Sequence, residues 1–320
     1  MSHHPKISVI TSAYNDQKHI SESIESILSQ TEGNFEFIII DDGSTDNSLE
    51  IIYKFKKRDS RIKLIRNKTN IGLTKSLNKG LEQSQGKYIA RQDANDVSLP
   101  QRFESQYMFL ENNQDICLCG SSISFIDTNG QIIQKKQKSF LFQTAGIAKM
   151  LPKQNCIVHS TIFFRNEGFR YRYKFYYAQD YDLYLNLLSS NKKLVNLKDI
   201  LVHWRMDSNA ISYRNRDKQT HFAKKAREFY SQRIKKQTEA YYQFNPESIL
   251  SRKSFASTNG IVLEDRLKNH LKHGEFTKAR ILYNDEYRNL KFANNKFLFW
   301  IFTHIPFIYK LYRKLVYKDS

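Results

Sequence analysis

Four short β-branched runs, separated by stretches whose apolar residues fall at helical spacing, fill the first ninety residues and constrain the fold more than any other feature. Ile7-Ser8-Val9-Ile10 precedes Ile20, Ile24, Ile27 and Leu28, with Ser21 and Ser23 as cap candidates. Phe35 to Ile40 precedes Leu49, Ile51, Ile52 and Phe55; Ile62 to Ile65 precedes Leu73, Leu77 and Leu81; Gly86 to Ala90 closes the series. Continuous apolar runs of this length read as strands covered on both faces, and the intervening stretches as amphipathic helices. Alternation of the two predicts an α/β fold: a mostly parallel sheet with helices on both faces and its ligand site beyond the carboxyl ends of the strands. Ser12-Ala13-Tyr14-Asn15, Asp41-Asp42-Gly43-Ser44 and Asp93-Ala94-Asn95-Asp96 each follow a run, so the three polar clusters converge on one edge.

What that edge lacks is as informative. No G-x-G-x-x-G turn follows the first strand and no G-x-x-x-x-G-K-[ST] loop occurs, so glycine-cradled dinucleotide and P-loop chemistry are excluded. A phosphate would then need a divalent cation held by carboxylates, a role that suits Asp93 to Asp96, although acids before Pro100 also serve as ordinary turn and cap residues. Composition sets the remaining bounds. With 40% hydrophobic and 13% aromatic residues the 320-residue chain must fold. Cys117, Cys119 and Cys156 have neither metal-ligand spacing nor an even count, and no apolar h-region precedes the first strand, which together lead one to expect a reduced, cytoplasmic location without a signal peptide.

Taken in order, Ile7 to Asn15, Ser26 to Thr31, Phe37 to Asp46, Asn70-Ile71-Gly72-Leu73 and Tyr88 to Asp96 resemble the inverting family 2 glycosyltransferases over roughly residues 6 to 210. The resemblance implies a GT-A fold, a nucleotide-diphospho-sugar donor (UDP-linked), Mn²⁺ or Mg²⁺, and sugar transfer to a glycan or lipid-linked acceptor hydroxyl in surface glycan synthesis. It places Ser12, Tyr14 and Asp42 at the nucleoside. Asp93 falls on the ribose or the metal shell, with Asn95 and Asp96 as further metal ligands; Asn95 stands where the family usually has Asp. The segment Phe175 to Leu185 resembles the one whose Glu-Asp pair opens a helix under the acceptor. Asp180 matches the general base, and Gln179 replaces the Glu. His159-Ser160-Thr161 resembles an acceptor-side segment. In Val202-His203-Trp204-Arg205, Arg205 is the expected phosphate contact, while Asp207 or His203 completes the metal or diphosphate shell. A nucleotide-binding or nucleotidyltransferase-like protein without sugar transfer is the alternative, for which Asn95 and Gln179 would be the signs.

The net charge of +19 is concentrated at one end: residues 211–320 carry 23 basic and 10 acidic side chains. A catalytic domain over residues 1–212 and a basic, mainly helical region over 213–320 are therefore expected. No RNA-binding signature accompanies the charge, so nucleic acid is not an expected partner. The apolar stretch Phe297 to Tyr309, bracketed by Lys296 and Lys310 and interrupted by His304 and Pro306, is too short to span a bilayer, which takes about 20 residues. Its Phe, Trp and Tyr beside Lys suit peripheral contact with the inner face of an anionic membrane. A core or dimerisation helix, and hence an oligomer, is the competing expectation.

Overall fold

The computed structural model describes residues 4–134, 142–206, 215–251, 267, 270–271, 275–288 and 296–310. Among these, nine strands form one sheet: β1 (Ile7–Ala13), β2 (Phe35–Asp41), β3 (Ile62–Arg66), β4 (Tyr88–Arg91), β5 (Val97–Ser98), β6 (Ile116–Ile126), β7 (Ile132–Gln134), β8 (Phe163–Arg165) and β9 (Lys193–Arg205). Their order is β3-β2-β1-β4-β8-β6-β9-β5, with β7 paired to β6. The β1–β2, β2–β3 and β1–β4 pairs are parallel, as the early alternation predicts. Reversal begins at β8, a three-residue strand within the strand-like run Ile162 to Arg165; it runs antiparallel to both β4 and β6, a direction that the run itself does not encode.

The connecting helices are α1 (Ile20–Leu28), α2 (Ser48–Arg58), α3 (Leu73–Gln83), α4 (Arg102–Asn112), α5 (Thr144–Met150) and α6 (Gln179–Ser189). Ile20, Ile24 and Ile27 of α1 pack with Val9, Phe37, Ile39 and Phe103 in the main core. On the opposite face, Gly80 lets α3 approach the sheet: a Cβ there would lie 2.6 Å from Ile10 Cγ2 and 2.9 Å from Ile40 Cδ1. This close packing brings the amino end of α3 to the carboxyl ends of the strands.

The first compact unit runs past the expected break at residue 212 to Ile249. Its last long helix, α7 (Arg216–Ile234), packs on α6 through an aromatic cluster in which Phe175 meets Phe222 at 5.9 Å and Phe229 at 6.2 Å between ring centroids. Basic residues mark the surface of α7, but these buried rings join it to the catalytic unit. The low net apolarity of the helix hid that role in the sequence.

Residues 250–320 form a second unit. Its described elements are α8 (Phe276–Leu282), continuing as a π-helical turn at Tyr283–Tyr287, and α9 (Lys296–His304). Phe299 and Phe302 are buried with Leu271, Leu282 and Tyr287, so part of the aromatic stretch is core, as the competing expectation held. Phe297 and Phe307 stay 74% and 71% exposed, and Trp300 stacks on Phe297 at 6.4 Å. No helix among the described residues is long and apolar enough to cross a membrane.

Candidate active site

The loops after β1 and β2 are tied to each other. Asn15, in a left-handed conformation (φ 57°) that asparagine tolerates, turns the chain after β1 and leaves the Tyr14 ring 43% exposed at the sheet edge. Its backbone N–H donates to Ser44 Oγ (3.1 Å), and its Oδ1 accepts from the Thr45 N–H (2.8 Å). Gly43 completes the turn at φ 74°, where a Cβ would lie 2.6 Å from the Thr69 carbonyl carbon. Asp16 lies below Tyr14 and accepts its N–H at 2.9 Å. Burial, joined by the charges of Asp93 and Asp46, pushes the Asp16 carboxyl up to about 6 against the lowering effect of that N–H and of Arg91.

Asp42 has a different surrounding from the nucleoside contact expected of it. Its carboxylate is buried and accepts from Asn67 Nδ2 (2.8 Å) and from the backbone N–H groups of Ile71 and Gly72 (2.9 Å each), so it holds the 67–72 loop at the head of α3. Ser12 is half-buried on β1 beside Ile40. Asp41, which sequence reasoning did not single out, ends β2 with Oδ2 buried and lacking a hydrogen-bond partner.

Beyond β4 the acidic residues separate into two environments. Asp93 is partly exposed and ion-paired with Arg91, a guanidinium only 2% exposed at the carboxyl end of β4. Asn95 is half-buried. Asp96 instead turns inward, its buried carboxylate accepting the Arg205 N–H on Oδ1 (2.8 Å). Burial first, then the nearby Asp93 charge, push its carboxyl up to about 7. Arg205 corrects the expectation of a phosphate contact. Its buried side chain donates from Nε to the Asn95 carbonyl (2.8 Å), from Nη1 to the Asp127 carbonyl (2.8 Å) and from Nη2 to Glu22, clamping the acidic loop from behind. His203 is likewise engaged inside the sheet, its Nδ1 paired with Ser124 Oγ of β6. Asp207 lies outside the described residues, and no group of three His, Cys, Asp or Glu among the described residues is placed to hold a metal.

The third part of the edge is the turn entering α6. Gln179 is its buried first residue and Asp180 its second, following Ala178 at φ 53°. Asp180 Oδ2 accepts from Asn155 Nδ2 at 2.8 Å. Burial raises the Asp180 carboxyl above its ordinary value, opposed by the Tyr181 N–H, the Asn155 amide and Arg91. His159, in a 3₁₀ turn at His159–Thr161, pairs through Nε2 with the Tyr171 hydroxyl (2.7 Å); burial and the Arg91 charge hold it well below the ordinary imidazole range, hence neutral. Side chains of α3 anchor the loop before α6. Asn78 exchanges two hydrogen bonds with the Tyr171 backbone (2.8 and 2.9 Å), and Thr74 Oγ1 donates to the Phe175 carbonyl (2.5 Å).

Arg91, Tyr171, Tyr184 and Asn155 are site residues that sequence reasoning missed. Arg91 had a readable signal, a charge ending an apolar strand two residues before an acidic cluster. Tyr184 stands one turn after Asp180 on α6, whereas Asn155 and Tyr171 come from loops with no periodicity, and only the fold brings those two near Asp180.

The arrangement joins an exposed aromatic ring, a carboxylate beside a neutral amide and a second carboxylate of raised affinity for protons at the carboxyl edge of a parallel sheet. A structure of S. aureus TarS residues 1–349 in complex with UDP superposes with a TM-score of 0.56 at 17% identity, covering 89% of this chain and 90% of that one; the same protein has been solved with UDP-GlcNAc (TM-score 0.54, 18% identity). The fold is therefore the GT-A arrangement expected from the resemblance. The uncharacterized glycosyltransferase MJ1057 of Methanocaldococcus jannaschii is 36% identical over 208 residues, 63% of this chain and 71% of that protein. The O-antigen biosynthesis glycosyltransferase WbnJ of Escherichia coli is 34% identical over 209 residues, 62% of this chain and 79% of that protein. Residues 8–172 match the model of glycosyl transferase family 2, and the chain is a glycosyltransferase belonging to that family.

Proposed function

We propose that the chain moves a sugar, with inversion, from a UDP-linked donor to an acceptor hydroxyl of a surface glycan or its lipid-linked precursor. The observation that carries this reading is the setting of Asp180: a half-buried carboxylate of raised pKa at the start of a helix, held by Asn155 and close to Arg91, the ion-pair partner of Asp93. A carboxylate so placed accepts the hydroxyl proton on Oδ while the acceptor oxygen bonds to the anomeric carbon and the bond from that carbon to the diphosphate oxygen breaks. Attack from the face opposite the leaving group inverts the centre. The exposed Tyr14 ring suits stacking on the base. UDP and UDP-GlcNAc bound to TarS, and the O-antigen role in the name of WbnJ, favour the donor and acceptor classes.

Asp93 and Asn95 would hold a divalent cation. Both are partly exposed residues with oxygen donors, and Mg²⁺ or Mn²⁺ takes one or two protein oxygens and completes its shell with phosphate and water. Such an ion, when bound, would neutralise charge on the departing diphosphate. Asp96 faces Arg205 and contributes from behind, by holding the loop. Donor affinity measured by titrating UDP in Mn²⁺ and in EDTA should fall on chelation; equal affinity in both would remove the metal from the reading.

The deciding test is product analysis. Incubation with a panel of UDP-, GDP- and dTDP-sugars should release nucleoside diphosphate from a UDP-sugar, and NMR of the glycosylated product should show the anomeric configuration inverted. Tight UDP binding without release from any donor would favour a nucleotide-binding protein without sugar transfer, for which Gln179 in place of the family Glu is the sign.

We further propose that the enzyme sits at the inner, cytoplasmic face of an anionic membrane through the exposed Phe297 and Trp300 of α9 and Phe307 just beyond it, with Lys296 and Lys310 near them in the chain. Basic residues near such a surface contribute roughly 1 kcal/mol each and are screened by salt. The full chain should therefore cosediment with anionic liposomes in low salt, and replacing the three exposed rings by Ser should release it. Full-length chain in the supernatant at low salt would show that the rings are oligomer contacts or inert.

A further inference from the structure

Two residues beyond Asp180 along α6 lies a buried clamp. Asp182 is fully buried and takes a two-pronged grip from Arg172, with Nε donating to Oδ2 at 2.7 Å and Nη2 to Oδ1. The third prong, Arg172 Nη1, donates to Glu239, beyond the end of α7. Glu239 is held in turn by Arg233 Nη1 (2.9 Å), and Arg233 Nε donates to Ser189 Oγ at the far end of α6 (2.7 Å). Three rings surround the Arg172 guanidinium, with Tyr241 at 4.4 Å and Phe175 and Phe229 at 5.2 Å. Lys174 adds a further tie, its N–H donating to the Tyr241 hydroxyl (3.2 Å) and its Nζ to the Tyr242 carbonyl (2.6 Å). A forked guanidinium fixes a carboxylate in direction as well as distance, which a single ammonium does not.

The turn that needs this support is unfavourable by itself. Ala178 sits in the left-handed region, which costs a residue with a Cβ energy and persists only where surrounding structure imposes it. The Asp182 N–H donates to the Ala178 carbonyl (3.0 Å), so the clamped residue closes that turn directly around Gln179 and Asp180. Arg172 is also the last residue matched by the family model, whereas Arg233, Glu239 and Tyr241 lie beyond it.

We propose that Arg172 is a positioning residue for Asp180, and that Glu239 and Tyr241 complete its clamp, making residues 215–249 part of the acceptor-side machinery. The inference rests on the reading of Asp180 as the base. Arg172 never touches the reacting atoms; it acts through Asp182 and the 178–182 turn.

The test uses the full chain, with whichever nucleotide sugar of the panel above the wild-type protein turns over fastest. Arg172→Gln is expected to lower kcat by about 10²-fold, the scale of an ångström-sized misplacement of a catalytic group, with KM for the donor and affinity for UDP unchanged. Arg172→Lys should recover part of that loss. Glu239→Gln, which removes the outer prong and leaves the Arg172–Asp182 fork in place, should lower kcat about tenfold in a chain that stays folded. Crystal structures of wild type and Glu239→Gln supply a readout independent of the donor: the Asn155–Asp180 contact of 2.8 Å should lengthen in the variant. Asp180→Asn is run in parallel. Full turnover in Asp180→Asn would overturn the base assignment itself. Loss in Asp180→Asn with unchanged kcat in the Glu239 and Arg172 variants and an unchanged Asn155–Asp180 contact in Glu239→Gln would overturn only the clamp. A lowered melting temperature with normal kcat would make the network structural and likewise reject the proposal.

Discussion

The loops after β1, β2 and β4 and the turn entering α6 meet at one edge but are built in different ways. The strand-end loops hold one another over short spans: Asn15 with Ser44 and Thr45, Asp16 with Ser48, Asp42 with Asn67, Ile71 and Gly72. The loop and turn entering α6 take most of their partners from further off, with Thr74 and Asn78 on α3 and Glu239 through Arg172. One side is organised by parallel strands adjacent in the chain, and the other is assembled from segments brought together late. A change in the first should weaken nucleotide binding or the fold, whereas a change in the second should act on turnover alone.

The sharpest test of that division is Asp180→Asn. Loss of a positioned base costs roughly 10²- to 10⁴-fold in rate, so turnover should collapse while UDP affinity, measured by calorimetry on the same preparation, stays at the wild-type value. A parallel fall in UDP affinity would show that the two sides of the edge are not separable. Asp42→Ala probes the opposite side. It strands the Asn67 amide and the Ile71 and Gly72 N–H groups; hydrogen bonds to a charged group contribute roughly 1.5–3 kcal/mol each, so a destabilisation of about 4 kcal/mol or more in urea unfolding is expected together with weakened UDP binding.

Gly80→Ala should cost less, about 1–2 kcal/mol. The added methyl meets Ile10 and Ile40 side chains that are packed in the sheet, and overpacking outweighs the better helix propensity of alanine. A raised melting temperature would mean that α3 slides without penalty. The smallest effect concerns pH. Asp180 is faced by Arg91 of β4, by Tyr171 and by Tyr184 of its own helix, and burial raises its carboxyl above the ordinary value of about 3.9. The base works only when deprotonated, so kcat should fall as pH drops through this raised value, at a higher pH than for a free aspartate. Arg91→Gln removes the opposing charge and should move that acid limb higher still. A limb unmoved in Arg91→Gln would show that the guanidinium does not reach Asp180.

Much of the site was legible because it follows strands. Tyr14, Asp42 and Asp93 could be placed on one edge from the alternation of runs alone, since parallel strands bring their carboxyl ends together whatever the loops contain. The direction in which each side chain points was not legible. Asp93 and Asp96 look equivalent in the sequence, yet Asp93 lies open beside Arg91 while Asp96 turns in to the Arg205 N–H. Arg205 looked like a phosphate ligand and is a buried clamp, a distinction set by β9 lying against β5.

Period and punctuation in the sequence determined the parallel half of the sheet and the helices on its faces, because burying an apolar run leaves few choices of element and neighbour. The ordered motifs determined the family. Tertiary structure alone decided where the catalytic unit ends: α7 reads as a charged helix, and its place on α6 comes from Phe222, Phe229, Tyr241 and Phe244 closing around Phe175. It also decided which aromatics of the last stretch are core, since Phe299 and Trp300 are adjacent in the chain and only the packing of α9 against α8 buries one and exposes the other. Local patterns specify elements through hydrogen bonding and burial within a few turns, whereas contacts between distant segments depend on shape, which no short window of sequence contains.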